Sequence, residues 1–416
     1  MPRIAVTRRP IHHRAMAPLL RLTIVLLALA ASTASTALAE APQAAAARVA
    51  FERGHIGEIE TRGVADRATG RPVTADDPVR VASISKLVVA IGVLRLVETG
   101  TLDLDRDISH QLGWRVRNPT FPDVPITLRL LLSHRASLTD GVDYALPFDR
   151  SIRAALADRG AWDGEHRPGS FFRYANLNFP LIASVMEAAT GERFDRLMER
   201  VVIRPLGLRA CFNWAVCDDA TIARAVTLYG ADGRPLRDDD HGVRPACPIV
   251  PGVRGDCDLA RWKPGFNGAS FAPQGGLRIS MRDLARIGQM LLADGRVAGR
   301  PFLSRQSVDL LLTPLWTYDG ANGITGETTP GSICRYGLAS QTLATRQDGC
   351  GDDLFGDGRP WAGHAGEAYG LRSGLWVDRA RGTGVAHFVT AVPDDAAPAE
   401  RTSFTREEVA MARGLP

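Results

Sequence analysis

The chain has 416 residues, with 50 Lys plus Arg against 46 Asp plus Glu and a formal charge of +4. Hydrophobic residues make up 45% of it and no internal repeat is visible, which excludes a disordered chain or a solenoid and leaves one large globular domain or two interleaved ones. Five arginines fall in the first 39 residues, which hold no acid; without them the net charge is near −1, so the case for a nucleic-acid surface disappears.

Those arginines (Arg3, Arg8, Arg9, Arg14, Arg21) precede an apolar run over 22–31 and then Ala37-Leu38-Ala39. A basic region, an apolar core and an A-x-A site define a signal peptide over 1–39, cut after Ala39. The protein is then expected in the periplasm or outside the cell, with no stable membrane span. An uncleaved anchor is the alternative, although the run is short for one. The alanine-rich stretch 40–48 reads as a tether, and the folded part as 49–416.

Residues 49–70 are strand-like, with a turn at Ala68-Thr69-Gly70-Arg71-Pro72. Then comes Arg80-Val81-Ala82-Ser83-Ile84-Ser85-Lys86, opening an apolar helix to Val97 that is stopped by Gly100. Ser83 and Lys86 stand three apart, so a helix puts them on one face and within reach of each other. An amine beside a hydroxyl is what an activated serine nucleophile requires. Only two lysines occur in the chain, Lys86 and Lys263. Arginine fills nearly every other cationic role, and arginine cannot give up its proton whereas a desolvated lysine can.

Residues 126–134 read as a buried helix with Thr127 as its N-cap. His134 at its end is either a general base or a partner of the helix dipole, and the structural role is favoured. After Pro168-Gly169, Tyr174 and Asn176 sit at a turn before an apolar helix over 181–189. Packing and capping are the common uses of such residues. A tyrosine near an amine can also carry a proton, and an asparagine can orient the lysine or hold a substrate carbonyl.

Six cysteines, none in a C-x-x-C pair, read as disulfides in an exported protein rather than zinc ligands. The local pairings Cys211–Cys217, Cys247–Cys257 and Cys334–Cys350 are preferred among the fifteen possible. Gln274-Gly275-Gly276 suggests close backbone approach, as at a substrate cleft, before a helix capped by Ser280 with Asp283 in its first turn. A short helix follows over 304–312. Gly363-His364-Ala365-Gly366-Glu367 then begins a strand in which Gly366 admits another chain closely. His364 is either structural, a proton carrier, or a donor to substrate. A further strand over 384–391 and a helix over 404–413 close the chain.

Taken together and in this order, Ser83-x-x-Lys86, Tyr174-x-Asn176 and His364-Ala365-Gly366 resemble the serine β-lactamase and penicillin-binding-protein superfamily. The class C β-lactamase-like group, with D-alanyl-D-alanine peptidases and related esterases, is the nearest part. The resemblance implies an α+β fold: an antiparallel sheet flanked by helices, built from about 49–101 and 268–416, with a mostly helical insert over about 102–267. It implies Ser83 as the acylated nucleophile, Lys86 and Tyr174 as the acid/base pair with either as principal base, and Asn176 as companion of Tyr174. His364, Gly366 and Glu367 would line the substrate, and the backbone N–H groups of Ser83 and Glu367 would form an oxyanion hole. No metal or cofactor is implied.

His-Ala-Gly stands where the family pattern has Lys-Thr-Gly, which removes a fixed charge and a hydroxyl suited to a substrate carboxylate. Arg135-Ala136-Ser137 likewise departs from the usual Thr-Ser-Gly. The expected function is a secreted serine hydrolase acting on a small ester, amide or D-amino-acid peptide such as a peptidoglycan fragment. A β-lactamase is the nearest alternative. A non-catalytic binder of cell-wall fragments is the alternative of another class.

Overall fold

The computed structural model describes residues 44–414 apart from Ala231, Arg237 and Asp238; the expected signal segment lies outside the described residues. Eight strands form the main sheet. In chain order they are β1 (Ala46–Glu52), β2 (His55–Arg62), β3 (Trp316–Thr317), β4 (Arg335–Tyr336), β5 (Gln341–Thr342), β6 (Ala362–Ala368), β7 (Leu371–Asp378) and β8 (Thr383–Val389). Their order across the sheet is β3-β4-β5-β6-β7-β8-β1-β2, antiparallel throughout.

The first strand thus lies beside the last, with Ala46 opposite Val389 and Glu52 opposite Thr383. Residues 46–48, expected in a tether, are therefore sheet. Alanine has little strand preference of its own, and here pairing to β8 and burial of Ala46 and Ala47 decide the matter.

Five helices bear on the site and its support: α1 (Ile84–Glu98), α2 (Leu128–Leu132), α3 (Asn178–Thr190), α4 (Met281–Leu292) and α5 (Arg406–Arg413). The strands separate two apolar layers. Leu375 and Val377 of β7 join the large core with α1 and α4, whereas Trp376 between them packs with Val385, Phe404 and Ala412 on the α5 side. Phe51 of β1 occupies a slot between helix and sheet. A Cβ on Gly288 of α4 would come 2.1 Å from its ring, and one on Gly384 of β8 would come 2.3 Å from it.

Helix α1 is apolar on nearly every side and runs through the core, with residues 84–94 all buried. Its start is tied down by a three-stranded sheet of Val79–Arg80, Leu277–Ile279 and Cys211–Phe212. Ser85 Oγ also accepts the Leu277 N–H at 3.0 Å. The disulfides Cys211–Cys217, Cys247–Cys257 and Cys334–Cys350 are the three local pairings expected. Among the described residues no helix is long and apolar enough to cross a membrane.

Candidate active site

Ser83 occupies the N-cap of α1, but its backbone is helical (φ −66°, ψ −10°) and its hydroxyl makes no cap bond. The preceding Ala82 is left-handed at φ +46°, a conformation costly for any residue with a Cβ and held here by its surroundings. The hydroxyl is engaged instead by Lys86 Nζ at 2.9 Å, one turn along the helix. Lys86 is fully buried, and its amine also donates to Asn176 Oδ1 and to the Gln274 carbonyl, each at 2.9 Å. Burial brings its pKa down to about 8, against the pull of the Glu327 and Asp140 carboxylates, which raise it.

Asn176 does not cap the next helix, as its position had suggested. Its side chain lies between Lys86 and two acids, donating to Glu327 Oε1 at 2.8 Å and to Asp140 Oδ2 at 3.1 Å. Asp140 takes over the capping, accepting the backbone N–H groups of Asn176 and Leu177 at 2.8 and 2.9 Å just before α3. Tyr174 borders the same recess as Ser83, its ring centroid 4.9 Å from Lys86 Nζ. Burial, with Tyr336 and Glu327 adding to it, holds the Tyr174 phenol well above its ordinary pKa, and the Ser83 hydroxyl offsets a little of this. His134 takes the structural role. Left-handed at φ +53°, it accepts the Ala175 N–H on Nδ1 at 3.1 Å and stacks on Tyr174 at 4.2 Å between centroids.

On the opposite wall β6 brings His364, Gly366 and Glu367. His364 Nδ1 meets the Ala365 carbonyl at 2.5 Å, and Nε2 meets the Tyr336 hydroxyl at 2.9 Å. A carbonyl can only accept, so Nδ1 carries the proton and Nε2 accepts from Tyr336. Burial and the nearby Lys86 lower the His364 pKa to about 3, and the ring is neutral. Gly366 is where β6 passes the start of α1: a Cβ there would lie 2.3 Å from the Val81 carbonyl and 3.3 Å from Ser83 N. Ser373 of β7 ties the same point by donating to the Val81 carbonyl at 3.0 Å. Glu367 turns outward, paired with Arg372 at 3.0 Å. The Ser83 N–H meets no acceptor among the described residues.

Of the Gly275-Gly276 pair, Gly276 is the tight one, with Asn213 Oδ1 2.7 Å from where a Cβ would stand; Gly275 faces open space beside Ser83. Asp140, Glu327 and Tyr336 belong to the site and were not singled out from the sequence. Each lies far along the chain from its partner, so no local pattern marks them; the turn at Thr139-Asp140-Gly141, where the Gly141 N–H donates to Thr139 Oγ1 at 3.1 Å, was the one signal that could have pointed to Asp140. No cluster of side chains suited to a metal ion occurs among the described residues.

A strained turn presenting a serine to a buried lysine, with a tyrosine and an asparagine across the cleft, defines a serine-hydrolase-like site. The profile of the Beta-lactamase family matches residues 33–410, and the chain belongs to that family. It is 30% identical over 194 residues to "Esterase EstB" of Burkholderia gladioli, covering 42% of this chain and 48% of the esterase. It is 30% identical over 147 residues to the "D-alanyl-D-alanine-carboxypeptidase/endopeptidase AmpH" of Escherichia coli K12, covering 32% of this chain and 36% of that protein. These matches therefore span half or less of either relative. Among solved structures, the "Beta-Lactamase/D-Alanine Carboxypeptidase from Pseudomonas syringae" superposes with a TM-score of 0.61 at 18% identity, over 88% of this chain and 92% of that one. The D-amino acid amidase from Ochrobactrum anthropi SV3 gives 0.58 at 20% identity over the same shares. Both show the fold: α+β, β-lactamase/transpeptidase-like.

Proposed function

We propose that the protein is a secreted serine hydrolase that forms an acyl-enzyme on Ser83 with a small ester, amide or D-amino-acid peptide, which water then resolves. The observation that carries this reading is the buried Lys86 amine 2.9 Å from Ser83 Oγ. With a pKa near 8 a useful fraction is neutral at physiological pH, and its lone pair can take the Ser83 proton as Oγ attacks the carbonyl. Tyr174, held far above its ordinary pKa, stays a phenol in the resting site. Lys86 is therefore the base that starts acylation, and Tyr174 passes the proton on to the leaving group. The Ser83 and Glu367 N–H groups, at the positive end of α1, would stabilise the oxyanion.

The neutral His364 supports an ester or peptide over an anionic β-lactam, because no fixed positive charge stands at that place to meet a carboxylate. Ser83, Lys86 and Tyr174 are all present and converge, which argues against a binder without chemistry. The three disulfides and the basic-apolar leader support export to an oxidising compartment.

The test is the intact mass of the purified protein after exposure to a fluorophosphonate, beside Ser83→Ala. One adduct on the wild type and none on the variant is expected. A folded wild type that stays unlabelled would overturn the reading.

A further inference from the structure

Glu327 borders three recesses, and Ser83 lines two of them. Its loop is held firmly in place. Ile324 donates to the Phe172 carbonyl at 3.0 Å, Phe172 donates back to the Asn322 carbonyl at 3.0 Å, and Gly323 is pressed against Trp316 and Phe172. One oxygen of the carboxylate accepts Asn176 Nδ2 at 2.8 Å; Oε2 has no partner among the described residues. Lys86 does not neutralise it by contact, since the three bonds of that amine go to Ser83, Asn176 and Gln274.

The recess of about 630 Å³ that Glu327 shares with Ser83 is rich in acceptors. Gln274 is only 9% exposed, and its Oε1 is buried without a hydrogen-bond partner among the described residues, as is Asn213 Oδ1. Asp143 adds negative charge along the rim, and Glu367, paired with Arg372, stands beside it. The cation of this recess, Arg80, is engaged by the Gly275 carbonyl at 3.4 Å and by the Tyr369 ring at 5.3 Å. A carboxylate oxygen left unmet on this recess calls for a ligand that brings a donor, and favours a donor that is charged.

We infer that Glu327 is a specificity-determining residue that receives a positively charged amine of the substrate, so that the preferred acyl donors are esters or amides with a free α-amino group. The α-amino nitrogen is two bonds from the carbonyl carbon that Ser83 attacks. Glu327 lines the same recess as Ser83 and is joined to it through Lys86 and Asn176, in contacts of 2.9, 2.9 and 2.8 Å. This rests on the hydrolase reading above and names its substrate class.

The test compares kcat/KM for D-alanine methyl ester and N-acetyl-D-alanine methyl ester at a pH of about 7, below the α-amino pKa of about 8. The wild type should favour the free amine by about tenfold or more, and Glu327→Gln should bring the two within about threefold, chiefly through KM. The amide of that variant would retain an oxygen for Asn176, and the ratio within one enzyme cancels any change in the chemical machinery. No preference in the wild type, or an unchanged ratio in the variant, overturns the inference. If Ser83 is labelled by a fluorophosphonate yet neither ester is turned over, protection against labelling by D-alanine amide, but not by its N-acetyl form, replaces the kinetic readout, and its absence is equally fatal. Absence of labelling on a folded wild type defeats the hydrolase reading itself.

Discussion

The Tyr336 hydroxyl donates to His364 Nε2 at 2.9 Å while His364 Nδ1 gives its own proton to the Ala365 carbonyl at 2.5 Å. Both ring nitrogens are occupied by the protein, and burial holds Tyr336 well above its ordinary pKa, so the phenol keeps its proton. Tyr336→Phe removes the donor and leaves Nε2 buried without one. A loss of about 1–3 kcal/mol in unfolding free energy is expected by urea titration. Nitrogen NMR of the wild type should find the Nδ1–H tautomer, and the Nε2–H form would contradict the assignment.

Labelling of Ser83 by a fluorophosphonate should speed up as pH rises through about 8, where Lys86 becomes neutral. Lys86→Arg keeps the charge but cannot release a proton, so the rate should fall by about 10²- to 10⁴-fold and gain nothing from added base. A variant retaining wild-type labelling would remove Lys86 from the chemistry.

Gly366→Ala places a methyl 2.3 Å from both the Val81 carbonyl and Ser373 Oγ. The strand must then back away from the start of α1, spreading the two N–H groups proposed for the oxyanion. Labelling should drop by about 10²-fold or more, the order seen when one such donor is lost. The melting temperature, followed in parallel, should fall by only a few degrees; a variant labelled at the normal rate would separate Gly366 from catalysis.

Gly288→Ala should destabilise the fold by about 1–3 kcal/mol, because the new methyl meets the ring of Phe51, which is 2% exposed and enclosed on the other side by Gly384. In a Phe51→Leu background the same change should cost much less. A double-mutant cycle in urea reads this coupling, and strict additivity would disprove the slot.

His387 is buried, and neither ring nitrogen has a partner among the described residues. Burial, with Arg48 nearby, lowers its folded pKa to about 3, below an unfolded value of about 6.5. The unfolded chain therefore takes up the proton first. The contribution to stability is complete above that unfolded value and is lost as pH falls toward 3, at up to about 1.4 kcal/mol per pH unit. The stability of the wild type relative to His387→Leu should thus fall as pH drops from about 6 to about 4. Parallel curves would place the histidine in contact with water.

Ser83 and Lys86 were legible because a helix converts their spacing into contact and because lysine is so scarce in this chain. Tyr174 and His364 could be located by their motifs, but not the state of either ring. That state depends on Tyr336, His134 and the depth of burial, none of which leaves a mark on neighbouring sequence. Asn176 looked like a cap because caps are local. It serves Lys86 instead, since Asp140, 36 residues earlier, supplies the capping oxygens. Glu327 comes from 151 residues beyond Asn176, in a loop of glycines and threonines with no periodicity to interpret. The alanines of β1 were misread for a related reason: only their partner, at the far end of the chain, makes them a strand.

The bond from Ser373 to the Val81 carbonyl joins points 292 residues apart, and it has a consequence for the order of assembly. A chain delivered from its N-terminus displays Ser83 and Lys86 early, with the lysine in water and fully protonated. Its amine loses that solvation as Asn176, Gln274 and then the last strands close against α1. On the proposed reading, the serine thus has no neutral amine beside it while the chain is incomplete. Completion of the fold is then what would activate it, and a chain stopped short of β6 would carry the proposed nucleophile without the wall that His364, Gly366 and Glu367 supply.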